Sequence, residues 1–225
     1  MINNINSKYT FTGRPKTHKI LPKLKFVFNE TLPDLRSPSK ACFLSSEEFA
    51  AKQPEIKDLE DRLKFVRYFI KSLYRDGGVS EHFRGLIGCV KAFKVANCDE
   101  FAEITKTICR MNGIKNCDMF AVYAKEINSR KPPRSLDHAV VALNVPKSKN
   151  NKLTCKPFLP AKHTVFVDMW LDGFIGKTKD TKVLFKKIGL GDNETIMLKP
   201  LKTYEPDNKS FEKIKEEFPK LSIKV

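Results

Sequence analysis

The sequence predicts an α+β domain, with a helical front half packed on a central antiparallel sheet. The first observation behind this is a stretch in which apolar residues recur at spacings of three and four, from Leu59 to Met111. The second is a change of period after Gly113, to the alternating, β-branched and aromatic runs of strands. Helices first and strands later is an α+β order rather than a βαβ one. A hydrophobic fraction of 41% is enough for a packed core.

Residues 1–54 read as an N-terminal extension. They contain Pro15, Pro22, Pro33 and Pro38 and little sustained periodicity. Leu24 to Phe28 suits a short strand, and Ser45 to Ala51 a short helix opened by a serine cap. From Pro54 to Tyr74, Leu59, Leu63, Val66, Ile70 and Leu73 form one apolar helix face. Asp76-Gly77-Gly78 ends that helix. A second runs from Ser80 to about Phe93, with Phe83, Leu86, Ile87 and Val90 inward. A third starts at Asn97-Cys98, buries Phe101, Ile104, Ile108 and Met111, and closes at Asn112-Gly113. Strands follow at Met119 to Lys125, His138 to Val145, Thr164 to Met169 and Thr195 to Leu198. A basic loop spans 146–162, and 207–225 form a charged C-terminal tail with a short helix. The main domain is thus placed at 55–206.

Bulk properties exclude several functions. No stretch approaches the roughly 20 apolar residues of a membrane span. Met1 to Phe11 is rich in Asn and lacks a basic region followed by an apolar one, so a cytosolic protein is expected. Cysteines stand at 42, 89, 98, 109, 117 and 155, with no CxxC pair, so neither a disulfide framework nor a zinc site is expected. The formal charge of +16 suits an acidic partner, nucleic acid or an anionic surface. The lysines are spread over loops and ends, and no RNA-recognition, zinc-finger or helix-turn-helix signature accompanies them. They read as a solvated surface, and nucleic acid is not an expected partner.

The chemistry concentrates in three residues. Asn97 is a good N-cap and Glu100 follows it by three, which places Cys98 in the first turn of a helix. The macrodipole there favours an anion, hence a thiolate, the reactive form of cysteine. His138 shares a strand face with Val140 and Ala142, and Asp168 shares one with Phe166 and Thr164. If these strands pair antiparallel, a register that opposes His138 with Asp168 also opposes Val140 with Phe166 and Ala142 with Thr164. All six then lie on one face. A thiol nucleophile needs a base for its proton, and the base needs a carboxylate to fix its tautomer and support its charge. Cys98, His138 and Asp168 supply these roles. The backbone amide at the start of the Cys98 helix suits an oxyanion hole; a second donor is not identifiable. His163 lies on the opposite face from Asp168, His18 and His82 lie outside the strands, and Asp137 points away from His138. Trp170, two residues beyond Asp168, either walls a substrate site or belongs to the core.

These motifs resemble the transglutaminase-like, papain-like cysteine enzymes. Asn97-Cys98-Asp99-Glu100-Phe101-Ala102 is similar to the family's nucleophile helix. Asp137-His138-Ala139-Val140-Val141 resembles its histidine strand, and Val165-Phe166-Val167-Asp168-Met169-Trp170 the strand that ends its triad. The likeness covers roughly residues 90–172. The chain departs from the pattern at Ala96, where a glycine often precedes Asn-Cys, and in a longer loop between the last two strands. The resemblance implies a papain/transglutaminase-like core and cysteine-dependent acyl transfer on protein glutamine, as transglutaminase or deamidase, without cofactor or metal. A cysteine protease with the same triad is the enzymatic alternative. A catalytically silent basic binding module is the other. Such domains also occur in bacterial effectors delivered into host cells. The expected partner is a protein substrate, with the lysines of 146–156 suited to an acidic surface on it. Residues 1–54 leave open a proregion, an exosite or an arm for a regulatory protein.

Overall fold

The structure is a computed structural model that describes residues 15–145 and 156–223. It is a mixed α+β fold with an open, five-stranded antiparallel sheet. Helices α1 (Pro15–Thr31), α2 (Ser46–Ala51), α3 (Gln53–Phe93) and α4 (Cys98–Met111) come first. Strands β1 (Cys117–Glu126), β2 (Arg134–Leu143), β3 (Val165–Asp168) and β4 (Phe174–Lys177) follow. Then come α5 (Thr181–Lys186), β5 (Glu194–Pro200) and α6 (Asn208–Glu217). The sheet order is β4-β3-β2-β1-β5, and every neighbouring pair is antiparallel.

The expected helix pair at 54–93 is one run, broken in backbone geometry at Gly78 (φ 72°, ψ −157°). A left-handed φ is open to glycine at little steric cost, so the predicted stop becomes a bend. Ser45 caps α2 as read: its Oγ accepts from the Glu48 N–H at 3.2 Å, and Glu48 accepts from the Ser45 N–H at 2.9 Å.

The expected strand at Leu24 to Phe28 is not formed; these residues lie inside α1. Ile20, Leu21, Leu24, Val27 and Phe28 make a helical stripe and are buried. Phe28 stacks on Phe101 of α4, with ring centroids 5.4 Å apart. From Ile20 on, the segment expected to be an extension therefore contributes side chains to the same core as the sheet. In the charged tail, Ile214 and Leu221 are buried too.

Helix α4 lies against β1, β2 and β3. Its apolar stripe, Phe101, Ile104 and Ile108, is buried, and Arg110 ties its last turn to Asp118 of β1 at 2.8 Å. Phe120, Val140, Phe166 and Phe185 are fully buried around the sheet. Strand β4 is not anticipated by the sequence reading, although its turn carries a signal. Asp172 (φ 57°) and Gly173 (φ 71°) both take left-handed backbone, and Phe174 N–H donates to the Leu171 carbonyl at 3.1 Å. This is the Asp-Gly preference of tight hairpin turns. Among the described residues no helix is long and apolar enough to cross a membrane.

Candidate active site

Cys98 is the first residue of α4 and is half-buried. Asn97 stands before it with extended backbone (φ −108°, ψ −176°), as an N-cap does. The Asn97 N–H donates to Glu100 Oε2 at 2.9 Å, the reciprocal half of the expected capping box. The Asn97 side chain is turned elsewhere. Its Oδ1 accepts from the Ser37 hydroxyl at 2.7 Å, the Ser39 hydroxyl at 2.9 Å and, more weakly, the Ser39 N–H at 3.3 Å. Glu100 is buried and gripped by Arg67 of α3, at 2.6 Å from Nε and 3.1 Å from Nη2. The thiol thus sits in the first turn of a 14-residue helix, at the positive end of the macrodipole.

His138 reaches this helix end because β2 is bulged. Ala121 pairs with Ala139 and Tyr123 with Ser135, so Leu136, Asp137 and His138 stand opposite Val122 alone. Asp137 absorbs the distortion with a φ of 50°, a conformation that Asp tolerates better than most residues. Bulges of this kind re-aim a side chain and are common beside active sites. The Asp137 carbonyl lies 4.0 Å from Cys98 Sγ.

Asp168 ends β3. The pairing of β2 with β3 opposes Val141 with Val167, Ala142 with Phe166 and Leu143 with Val165. This is two residues away from the expected register. A slip of two keeps every side chain on its face, so His138 and Asp168 still meet. His138 Nε2 and Asp168 Oδ2 are 2.6 Å apart, with both side chains 2% exposed. The other oxygen, Oδ1, accepts from the Leu171 N–H at 3.0 Å. With Nε2 committed to Asp168, Nδ1 is the ring nitrogen left for Cys98. Burial lowers the His138 pKa. The hydrogen bonds and charges of Asp168 and Cys98 outweigh it and raise the pKa from 6.5 to about 9. The ring is therefore an imidazolium at neutral pH.

Trp170 is buried and touches both sides of the site. Its ring lies 5.0 Å from His138 and 5.5 Å from Phe43, and Nε1–H donates to Ser37 Oγ at 2.8 Å. It lines the cleft and also belongs to the core.

The cleft over Cys98 and His138 holds about 450 Å³. Ser39 and Cys42 line one side, from the short 3-10 turn Pro38–Phe43, and Lys186, Lys187 and Ile188 line another, at the end of α5. None of these residues was singled out by sequence reasoning. Nothing in a Pro-containing segment with no periodic pattern, or in a six-residue helix, marks a wall. Backbone pairing holds the first wall in place: Arg36 N–H donates to the Lys94 carbonyl and Ala96 N–H to the Arg36 carbonyl, each at 3.0 Å. The lysines of 146–155 expected beside the site lie outside the described residues.

Of the rival residues, Asp137 lines the cleft beside Cys98, whereas His163 and His82 fall elsewhere. His163 is exposed, and His82 is buried against Tyr74 and Tyr204 and bonded to Glu103 at 3.0 Å. Asp172, the next carboxylate after Asp168 in the chain, faces Lys40 at 3.6 Å. The side chain of His18 is outside the description. Among the described residues no group of three or more His, Cys, Asp and Glu side chains could hold a metal ion. Comparison with protein-family models, curated proteins and solved structures gives no match.

Proposed function

We propose that the chain is a cysteine-dependent acyltransferase of the transglutaminase or glutamine-deamidase kind, with a papain/transglutaminase-like core. The observation that carries this reading is the buried His138–Asp168 pair at 2.6 Å, coupled to a cysteine at a helix N-terminus. A nucleophile helix laid on antiparallel strands that carry the base and its carboxylate supports the assignment of the core. The proposed reaction starts from the pair formed when the Cys98 proton passes to His138. The Cys98 sulfur attacks the carbon of a glutamine carboxamide, and the carbonyl π pair moves onto oxygen. The tetrahedral species collapses as His138 hands its proton to the leaving nitrogen, so ammonia departs and a thioester remains. An amine or water then adds to the thioester, with His138 taking the incoming proton, and Cys98 is released. Asp168 holds the ring and stabilises its charge throughout. The substrate is a protein glutamine in an exposed segment, approached past Lys186 and Lys187, whose charge favours an acidic neighbourhood. A reducing cytosol suits the chemistry, since Cys42, Cys89, Cys98, Cys109 and Cys117 are free thiols.

The test is iodoacetamide alkylation across pH, read by peptide mass spectrometry, followed by assays for ammonia release and amine incorporation into protein glutamine. Cys98 should react fastest near pH 6, and His138→Ala should abolish that advantage. Ammonia release with a new glutamate, or an amine adduct, identifies the acyl transfer. New peptide N-termini would make it a protease instead. A Cys98 no faster than Cys42, together with full function of Cys98→Ala, would sink the enzyme reading in favour of a binding module.

A further inference from the structure

Acyl chemistry at Cys98 puts negative charge on the carbonyl oxygen, and the backbone amide at the head of α4 is one donor for it. We infer that the second donor is the hydroxyl of Ser39. This inference rests on the acyl-transfer reading proposed above.

The hydrogen-bond count around Asn97 singles out Ser39. A carbonyl oxygen has two lone pairs. Asn97 Oδ1 is approached by three donors: the Ser37 hydroxyl, the Ser39 hydroxyl and the Ser39 N–H. The Ser37 hydroxyl accepts from Trp170 Nε1 at 2.8 Å and lies 3.0 Å from the Ser39 hydroxyl, but its shortest acceptor is Asn97 Oδ1 at 2.7 Å, which takes its one proton. The Ser39 N–H is fixed by the backbone. The Ser39 hydroxyl is therefore the surplus donor. Were it to rotate away, Asn97 Oδ1 would keep two donors and no buried group would be left unsatisfied. Of Ser37, Ser39 and Asn97, it is Ser39 that lines the cleft with Cys98 and His138. Asn97 is also the residue directly before Cys98, so the same contact that parks the Ser39 hydroxyl holds it beside the head of α4. A donor parked on a satisfied acceptor, and turned onto the oxyanion as charge develops, is stabilising in the transition state more than in the ground state.

The test separates acylation from alkylation. Acylation by p-nitrophenyl acetate passes through an oxyanion: Cys98 sulfur adds to the ester carbonyl, then p-nitrophenolate leaves and an acetyl thioester remains. Alkylation by iodoacetamide displaces iodide at a saturated carbon and makes no oxyanion. In Ser39→Ala, the p-nitrophenolate burst should slow by about 10²-fold, while the alkylation rate and thermal midpoint stay at the wild-type values. Ser39→Thr, which keeps a hydroxyl, should recover most of the burst rate. Equal loss in acylation and alkylation would show a structural role, and an unchanged burst would show no role; either overturns the inference. A wild-type protein whose Cys98 alkylates fast and never acylates would overturn the acyl-transfer reading itself, and the inference with it.

Discussion

Replacing Asp168 with Asn should strip His138 of its charge at neutral pH. Among the partners that raise the His138 pKa, Asp168 comes before Cys98. It acts across 2.6 Å with both side chains 2% exposed, so solvent screens little of the interaction. The rise from 6.5 to about 9 is worth about 3 kcal/mol in favour of the imidazolium, at roughly 1.4 kcal/mol per pH unit. Asparagine keeps the volume of Asp168 and loses the charge. Burial then opposes Cys98 alone, and His138 should titrate at or below its ordinary 6.5. An NMR titration of the His138 ring protons measures this directly. Stability should follow the same proton. Between pH 6.5 and 9 the folded wild type holds a proton on His138 that the unfolded chain has released. Its stabilising share is complete below pH 6.5 and is lost as the pH rises through 9. Chemical denaturation should show a wild-type decline of up to about 3 kcal/mol over that window and a flat profile in Asp168→Asn. A His138 that still titrates above pH 8 in the variant would refute the reasoning.

Three further outcomes follow from the packing. Arg67→Ala leaves the buried Glu100 without its two guanidinium bonds and should cost about 2 kcal/mol, less than a fully buried pair because the Arg67 side chain is 46% exposed; urea denaturation reads it, and adding Glu100→Gln should recover part of the loss. Trp170→Phe keeps a ring beside His138 and removes the N–H to Ser37, so it should cost about 1 kcal/mol, whereas Trp170→Ala should cost about 3–5 kcal/mol in the same measurement. Phe28→Ala, in the segment expected to be an extension, should also cost about 3–5 kcal/mol, since the ring is 2% exposed and stacked on Phe101; an unchanged denaturation midpoint would show that α1 is dispensable to the core.

The candidate triad was legible because it rests on short-range rules. A cap three residues before a glutamate locates a helix start whatever lies around it. Strand parity decides which side chains share a face, and it survives the two-residue slip between expected and observed pairing of β2 with β3. What was not legible depends on contacts distant in sequence. Pro22 lies inside α1, and the prolines at 15, 22, 33 and 38 pointed away from helix, yet the stripe from Ile20 to Phe28 is helical and docking on α4 outweighs local preference. The bulge at Leu136–His138 falls at and before the start of the expected strand, His138 to Val145, and no glycine marks it. The wall at Ser37 to Cys42 is set by pairing with Lys94 and Ala96, some sixty residues away in the chain.

The same geometry explains why a helical front half is attached to such a site. The head of α4 carries Asp99 and Glu100, and Asp137 sits across the cleft, an acidic setting despite the chain's overall positive charge. Arg67 of α3 supplies the counter-charge, bonded to Glu100 and 3.7 Å from Asp99. Its own pKa is raised first by the hydrogen bonding to Glu100, and Cys98 is among the negative groups that add to this. With Arg67 bonded to Glu100, the capping contact on the Asn97 N–H is kept without leaving a bare buried charge beside the sulfur. Helix α3 therefore supplies a cation to the acidic head of α4 as well as packing. The wall from Ser37 to Cys42, joined to Trp170 on one side and Asn97 on the other, ties the N-terminal segment to the neighbours of both His138 and Cys98.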